Sequence, residues 1–253
     1  MHNLVSDQAL MASIRIFYQP IVRLADLRPA YAEVLARTTG AGGTLGGAAT
    51  VVEAMTGTER SMHLTGCIMQ RALDEYTEHD FAAQNLHIAI NLPLDAMLHP
   101  DLAPRIELIR ASAGLPAGNI HFELTERHPV HDLKAACAVI TTLRAAGYGL
   151  ALDDITPSMP YLPALLDMPI RAVKMDRSVV ISNLPSDQEF IRAMVAQATA
   201  NGQDIIAEGI ETVDLLESLR ARGVTHGQGY LFSHPLPAAG LRQYLAAATW
   251  QPA

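Results

Sequence analysis

The sequence predicts an eight-stranded α/β barrel, and three observations predict it. Short β-branched runs alternate with longer stretches of helical apolar spacing, the pattern of βα units around a largely parallel sheet. Eight such runs occur, and eight strands with intervening helices close into a barrel better than they form an open sheet. A length of 253 residues suits one barrel better than two small domains, so one domain is expected over residues 1–253.

Taken in order, the candidate strands are Ile14–Leu24, Ala30–Arg37, Leu86–Leu92, Ile120–Thr125 and Gly149–Ile155, then Ala172–Asp176, Asp204–Glu208 and His226–Phe232. The first two are separated only by a tight turn around Leu27–Pro29. That is too short for a crossover helix, so this pair is expected to be antiparallel. Helical spacing is clear over Asp132–Ala146 and Gln188–Ala200. The tract Gly40–Gly47 lacks the Lys-Ser/Thr of a phosphate-binding loop and reads as a surface loop.

Composition narrows the function. Apolar residues make up 49% and charged residues 17%, which allows a large core and excludes a disordered chain. A net charge of −8 argues against a general nucleic-acid binder, which needs a basic face. Cys67 and Cys137 form no CxxC pair, which fits a reducing compartment and no thiolate metal site. The first residues lack a basic and then apolar leader, and no long uncharged apolar run occurs, so a cytoplasmic protein without a membrane span is expected.

In such a barrel the reacting groups project from the C-terminal strand ends. Those ends carry Glu33, Asn91, Glu123, Asp153 with Asp154, Lys174, Glu208 with Glu211, and Gln228. Any one acid is better read as an exposed loop residue or a helix cap. Six carboxylates on one rim are another matter, since close pairs repel by on the order of several kcal/mol. A single lysine cannot neutralise them, whereas two divalent cations nearly can, and oxygen ligands suit Mg²⁺ or Mn²⁺. HExxH and GxSxG are absent, so zinc hydrolysis and a serine nucleophile find no support. Two ions bridged by a carboxylate are a common device for displacement at phosphorus, and adjacent Asp153 and Asp154 suit it. Lys174, one of only two lysines beside sixteen arginines, is placed to orient and help deprotonate a water.

The chain resembles the EAL domain family. The motifs are Tyr18-Gln-Pro-Ile21, Ala32-Glu-Val-Leu-Ala-Arg37, Ile90-Asn-Leu92, Phe122-Glu-Leu-Thr-Glu126 and Leu152-Asp-Asp154, followed by Val173-Lys-Met-Asp-Arg177, Ile206-Ala-Glu-Gly-Ile-Glu-Thr212 and Gly227-Gln-Gly-Tyr-Leu231. The signature tripeptide reads Glu33-Val34-Leu35. The resemblance implies a modified TIM (β/α)8 barrel that hydrolyses cyclic di-GMP to linear pGpG with Mg²⁺ or Mn²⁺. It implies Glu33, Asn91, Glu123 and Asp153 as ligands of one ion and Asp153 with Asp154 as ligands of the other. Glu208 is implied as second-ion ligand or general base, and Lys174 as the water-orienting lysine, positioned by Glu211 and Gln228. Gln19, Leu35, Arg37, Asp176 and Gln228 are implied as substrate contacts, Arg37 through a phosphate oxygen. A homodimer and a regulatory protein partner are both within the family's repertoire.

One segment departs from the family, which usually continues Phe-Gly-Thr-Gly-Tyr-Ser-Ser-Leu after the Asp pair. Here Ile155-Thr-Pro-Ser-Met-Pro-Tyr-Leu162 has lost both glycines and gained Pro157 and Pro160. Access to φ > 0 is lost and two φ angles are fixed, so Asp154 and the second ion are expected to be held less well. Glu126, the family's anchor for that loop, is retained. The expected outcome is a slow phosphodiesterase; the alternative is a receptor that binds the dinucleotide, hardly cleaves it and signals through a partner.

Overall fold

The computed structural model describes residues 9–40, 44–46, 51, 57–125 and 133–247. Its strands are β1 (Ile14–Arg23), β2 (Pro29–Thr38), β3 (His87–Pro93), β4 (Ile120–Thr125), β5 (Gly149–Ile155), β6 (Ala172–Met175), β7 (Asp204–Ala207) and β8 (His226–Gly227). They close into a barrel in chain order. β1 runs antiparallel to both β2 and β8, and the remaining neighbours are parallel.

The reversal between β1 and β2 is local chemistry. Leu27 adopts φ 59° and its N–H donates to the Arg23 carbonyl at 2.8 Å. Asp26 caps the turn, accepting from Arg23 Nε at 2.9 Å and from the Arg28 N–H at 3.3 Å. After β2 the chain crosses over through helices. Thr58–Glu78 buries Met62, Leu64, Ile68, Met69, Leu73 and Tyr76 on one side, and the helices Leu133–Ala145 and Pro185–Asn201 occupy the stretches of predicted helical spacing. Of the glycine tract, the described residues fold back on the end of β2, with Gly46 N–H donating to the Thr38 carbonyl at 2.7 Å.

Two apolar layers result. The larger lies between sheet and helices and includes Ile90, Phe122 and Leu150, all fully buried. Truncating one of these to Ala would cost about 2–5 kcal/mol through lost burial and the cavity left behind. The smaller, formed by Ile21, Tyr31, Ala151, Ala172 and Ile206, plugs the barrel. Because strand side chains alternate, the residues two positions on from Tyr31, Ala151, Ala172 and Ile206 share that inward face: Glu33, Asp153, Lys174 and Glu208.

β1, β2 and β3 end within one residue of expectation, and three further strand ends bear on the site. β6 and β7 stop one residue early, so Asp176 and Glu208 lie in the loops just beyond. β8 is only His226–Gly227, instead of running to Phe232. Past Gly227 the chain leaves the sheet to bond the segment after β7: Ile210 N–H donates to the Gln228 carbonyl at 3.0 Å and Leu231 N–H to the Ile210 carbonyl at 3.0 Å. Gly229 permits this approach, since a Cβ there would lie 2.1 Å from the Ile210 carbonyl oxygen.

Candidate active site

Lys174 is the centre of the charged floor. Only 1% of its side chain is exposed, and its Nζ lies 2.7 Å from Asp153, 2.7 Å from Glu208, 3.1 Å from Glu123 and 3.6 Å from Glu33. β2, β4, β5 and β6, with the loop after β7, deliver these five groups to one point. Burial pulls the Lys174 pKa down, but Asp153, Glu123, Glu208 and Glu33 outweigh it and hold the ammonium well above its ordinary value. In this setting Lys174 keeps its proton. As an ammonium it can orient a water and stabilise the hydroxide left when that water loses its proton.

The carboxylates respond differently. Burial would raise Glu33, but Lys174 and donated hydrogen bonds from Gln228 and Asn91 bring it below its usual range. Gln228 Nε2 donates to Glu33 Oε2 at 2.7 Å and to Gln19 Oε1 at 3.2 Å, and Asn91 Nδ2 donates to Glu33 Oε1 at 3.2 Å. Both oxygens of Glu33 are thus held by amides. Gln228 therefore positions Glu33 and Gln19, rather than Lys174. Glu123 is pushed well up by burial, which Lys174 only partly offsets, with Glu33, Asp153 and Glu208 adding repulsion. Glu208 is pushed up to about 8, chiefly by burial.

Asp153 and Asp154 are adjacent in a strand, where side chains normally point to opposite faces. The β5–β6 register shifts between Leu152 and Ile155, and Asp154 takes φ 52°. This bulge turns both carboxylates to one side, and Asp is among the few residues that tolerate the left-handed conformation. Ligand oxygens of Asp153, Asp154 and Glu208 lie within 4.8 Å of one another. Asp153 is raised by burial, partly offset by Lys174, and Asp154 is raised to about 6 by partial burial and by Asp153. Among the described residues Asp154's carboxylate accepts no side-chain hydrogen bond, whereas Asp153 accepts one from Lys174 at 2.7 Å. The altered loop forms a turn in which Met159 N–H donates to the Thr156 carbonyl at 3.1 Å, with Thr156 and Ser158 hydroxyls 3.0 Å apart. Tyr161 closes it at φ 56°.

A cavity of about 790 Å³ opens above this floor. Of the expected residues, Gln19, Glu33, Asn91, Asp153, Asp154, Glu208, Glu211 and Gln228 line it, with Glu123 and Lys174 buried beneath. Glu211 does not reach Lys174: it is exposed and pairs with Arg177 at 2.9 Å. Leu35 and Arg37 continue the face of Glu33 along β2 but do not line the cavity, and Arg37 Nη1 donates to the Ala36 carbonyl at 2.9 Å. Asp176 caps the short helix Arg177–Val180, accepting from Ser178 N–H at 2.8 Å. Glu126 lies outside the described residues. Arg177, Thr125 and Tyr230 also line the cavity; all three stand inside the quoted motifs, which is the signal in the sequence that points to them.

The donor set fits hard divalent cations. Glu123 Oε2, Gln228 Oε1 and Thr125 Oγ1 are buried and have no hydrogen-bond partner among the described residues. A buried carboxylate oxygen left so costs roughly 1–3 kcal/mol or more, which a cation bound there would offset. All the acidic donors are oxygens, the choice of Mg²⁺ or Mn²⁺ over softer metals.

The family model described as EAL domain matches residues 6–235. The cyclic di-GMP phosphodiesterase NbdA of Pseudomonas aeruginosa is 29% identical over 238 residues, covering 92% of this chain and 30% of that protein. The solved structure of the EAL enzyme Bd1971 with cAMP and cyclic-di-GMP bound superposes with a TM-score of 0.85 at 26% identity, covering 94% of this chain and 66% of that one. The manganese/cy-diGMP complex of Klebsiella pneumoniae BlrP1 gives a TM-score of 0.78 at 25% identity, covering 88% of this chain and 56% of that one. The chain spans 21–30% of the length of the first curated relatives it matches. Among the described residues no helix is long and apolar enough to cross a membrane.

Proposed function

The chain belongs to the EAL domain family, and from that premise we propose that it hydrolyses cyclic di-GMP to linear pGpG. The observation that carries the reading is the floor of four buried or half-buried carboxylates around Lys174, beneath a cavity of about 790 Å³, a volume ordinary for small ligands. NbdA and the cyclic di-GMP complexes of Bd1971 and BlrP1 support the choice of substrate.

In the reaction a water oxygen attacks phosphorus and the P–O3′ bond breaks. The departing O3′ takes a proton, and a linear dinucleotide with a 5′-phosphate leaves. Glu33, Asn91, Glu123 and Asp153 would hold one Mg²⁺ or Mn²⁺, and Asp153, Asp154 and Glu208 a second. When bound, such ions supply positive charge at the phosphoryl oxygens and acidify the attacking water. Lys174 fixes the directions of Asp153 and Glu208 and offers its ammonium to orient the attacking water. Asn91 and Gln228 fix Glu33, and Gln228 hands the constraint on to Gln19 at the cavity wall. Glu208 is suited both to the second ion and to proton acceptance: Glu208→Gln would weaken ion binding in the first role and only kcat in the second.

Turnover is expected to be slow, because Asp154 sits on a bulge beside the rebuilt loop with no side-chain hydrogen bond among the described residues. A misplacement of about 1 Å at such a position can cost on the order of a hundredfold. That same feature favours the second reading, a receptor that retains the dinucleotide and signals through a second copy or a regulatory protein. Incubation with cyclic di-GMP and Mn²⁺, followed by chromatography, separates the two. Appearance of pGpG supports the enzyme, and binding without product supports the receptor.

A further inference from the structure

The walls of the cavity carry the wrong charge for a polyanionic guest. Glu33, Asp153, Asp154, Glu208 and Glu211 line it, and Arg177 is the one cation among the described lining residues. Lys174 lies beneath and is committed to four carboxylates. A cyclic dinucleotide brings two phosphodiesters. Ions on the floor would answer for the one that is cut; Arg37, the phosphate contact implied by the resemblance, does not line the cavity, so the other needs a donor on the cavity wall.

Arg177 is built into that place. It is the first residue of the helix Arg177–Val180, directly after the capping Asp176. Its stem lies across Gly209, where a Cβ would come within 2.3 Å of Arg177 Cγ and 2.7 Å of Cδ. Gly209 also takes φ 72°, a conformation that favours glycine. The glycine slot seats the aliphatic stem and leaves the guanidinium at the cavity wall, 2.9 Å from Glu211. Both partners are about half exposed, at 54% and 43% of the side chain. Such a pair is held by about 0–1 kcal/mol and is cheap to exchange. A phosphate offers the planar fork two oxygens and more charge than the single Glu211 oxygen it contacts now.

Resting on the reading of the site as a cyclic di-GMP phosphodiesterase, we infer that Arg177 anchors the phosphate that is not cleaved, exchanging Glu211 for it when substrate enters. Glu211 acts as a latch that keeps the guanidinium extended over Gly209 in the empty cavity and is released on binding.

The test uses Arg177→Gln and Arg177→Lys on the full chain with Mn²⁺, assayed on cyclic di-GMP and on bis(p-nitrophenyl) phosphate, which has a single phosphodiester. The expected result is a KM for cyclic di-GMP raised roughly tenfold or more in Arg177→Gln, with kcat within about threefold. Arg177→Lys should fall between, since it keeps the charge and loses the fork, and neither variant should change KM for the one-phosphate substrate. Calorimetric Kd for cyclic di-GMP in Ca²⁺ should move in parallel. An unchanged KM and Kd in Arg177→Gln, or equal changes on both substrates, would overturn the anchor while leaving the hydrolase reading intact. A wild-type protein that neither binds nor cleaves cyclic di-GMP would overturn both.

Discussion

On β2, β4 and β8 the residues Tyr31, His121 and His226 sit two positions before Glu33, Glu123 and Gln228, on the same inward face. The two ends of one barrel are thus built by the same strands but treat polarity differently. At the lower end the rings pack on one another, with Tyr31 centred 4.8 Å from His121 and 5.5 Å from His226. Tyr31 donates to Asp204 at 3.2 Å, and His87 Nδ1 lies 2.8 Å from the Gly118 carbonyl and 3.3 Å from His121 Nε2. That arrangement needs a proton on His87 Nδ1 and leaves His121 Nε2 as a neutral acceptor. At the upper end one ammonium serves four acids and Glu123 keeps an orphaned oxygen. The lower layer pairs its polar groups within the protein, whereas the upper one carries an imbalance that raised carboxyl pKa values answer in part and a bound cation would answer more fully.

The sharpest way to break this comparison is to remove the cation. Chelation with EDTA should abolish hydrolysis, and Mg²⁺ or Mn²⁺ should restore it. Ca²⁺ should not, because its larger and looser shell misplaces the attacking water. Full turnover in excess EDTA would show that the upper end is balanced by protein alone.

Next comes Lys174→Met. It leaves four acids without their shared partner, so the metal-free protein should lose about 3–5 kcal/mol in a denaturant titration. Its kcat should fall at least about a hundredfold, with little rise in KM. A variant as stable as wild type would mean that the acids simply take up protons.

The lower end is tested by pH. Burial lowers the His121 pKa to about 3, below its ordinary 6.5. A depressed folded-state pKa means the neutral form is favoured by folding. Its stabilisation is complete above about 6.5 and is lost as pH falls from there towards 3, by on the order of a few kcal/mol. His121→Phe should flatten that part of the stability profile relative to wild type. Equal acid slopes in the two proteins would move the titrating group elsewhere.

The smallest effect is expected at the upper rim. Replacing Ile155–Tyr161 by Phe-Gly-Thr-Gly-Tyr-Ser-Ser should raise kcat roughly tenfold, by holding Asp154 better. It should strengthen self-association in sedimentation and leave cyclic di-GMP affinity nearly unchanged. A wild-type rate equal to the graft's would show that the Thr156–Met159 turn already holds the carboxylate.

The amino-acid order alone determined which face of each strand carries what. Period-2 alternation and the turn at Leu27 placed β1 antiparallel and put Glu33, Asn91, Glu123, Asp153 and Lys174 at one end, and these are local properties of short segments. Barrel closure decided who meets whom. Gln228 holds Glu33 across 195 positions of chain, a contact no local pattern encodes. The sequence runs on towards Tyr230-Leu-Phe232 as if in a strand, but β8 stops at Gly227 because the backbone beyond it bonds Ile210 instead of a neighbouring strand. Asp154 was legible as an acid but not as an αL bulge, which arises from its register against β6. Lys174 was legible as a rare lysine at a strand end. That it lies buried and holds its proton was decided by four carboxylates converging from other strands, because charge interactions depend on distance in space rather than along the chain.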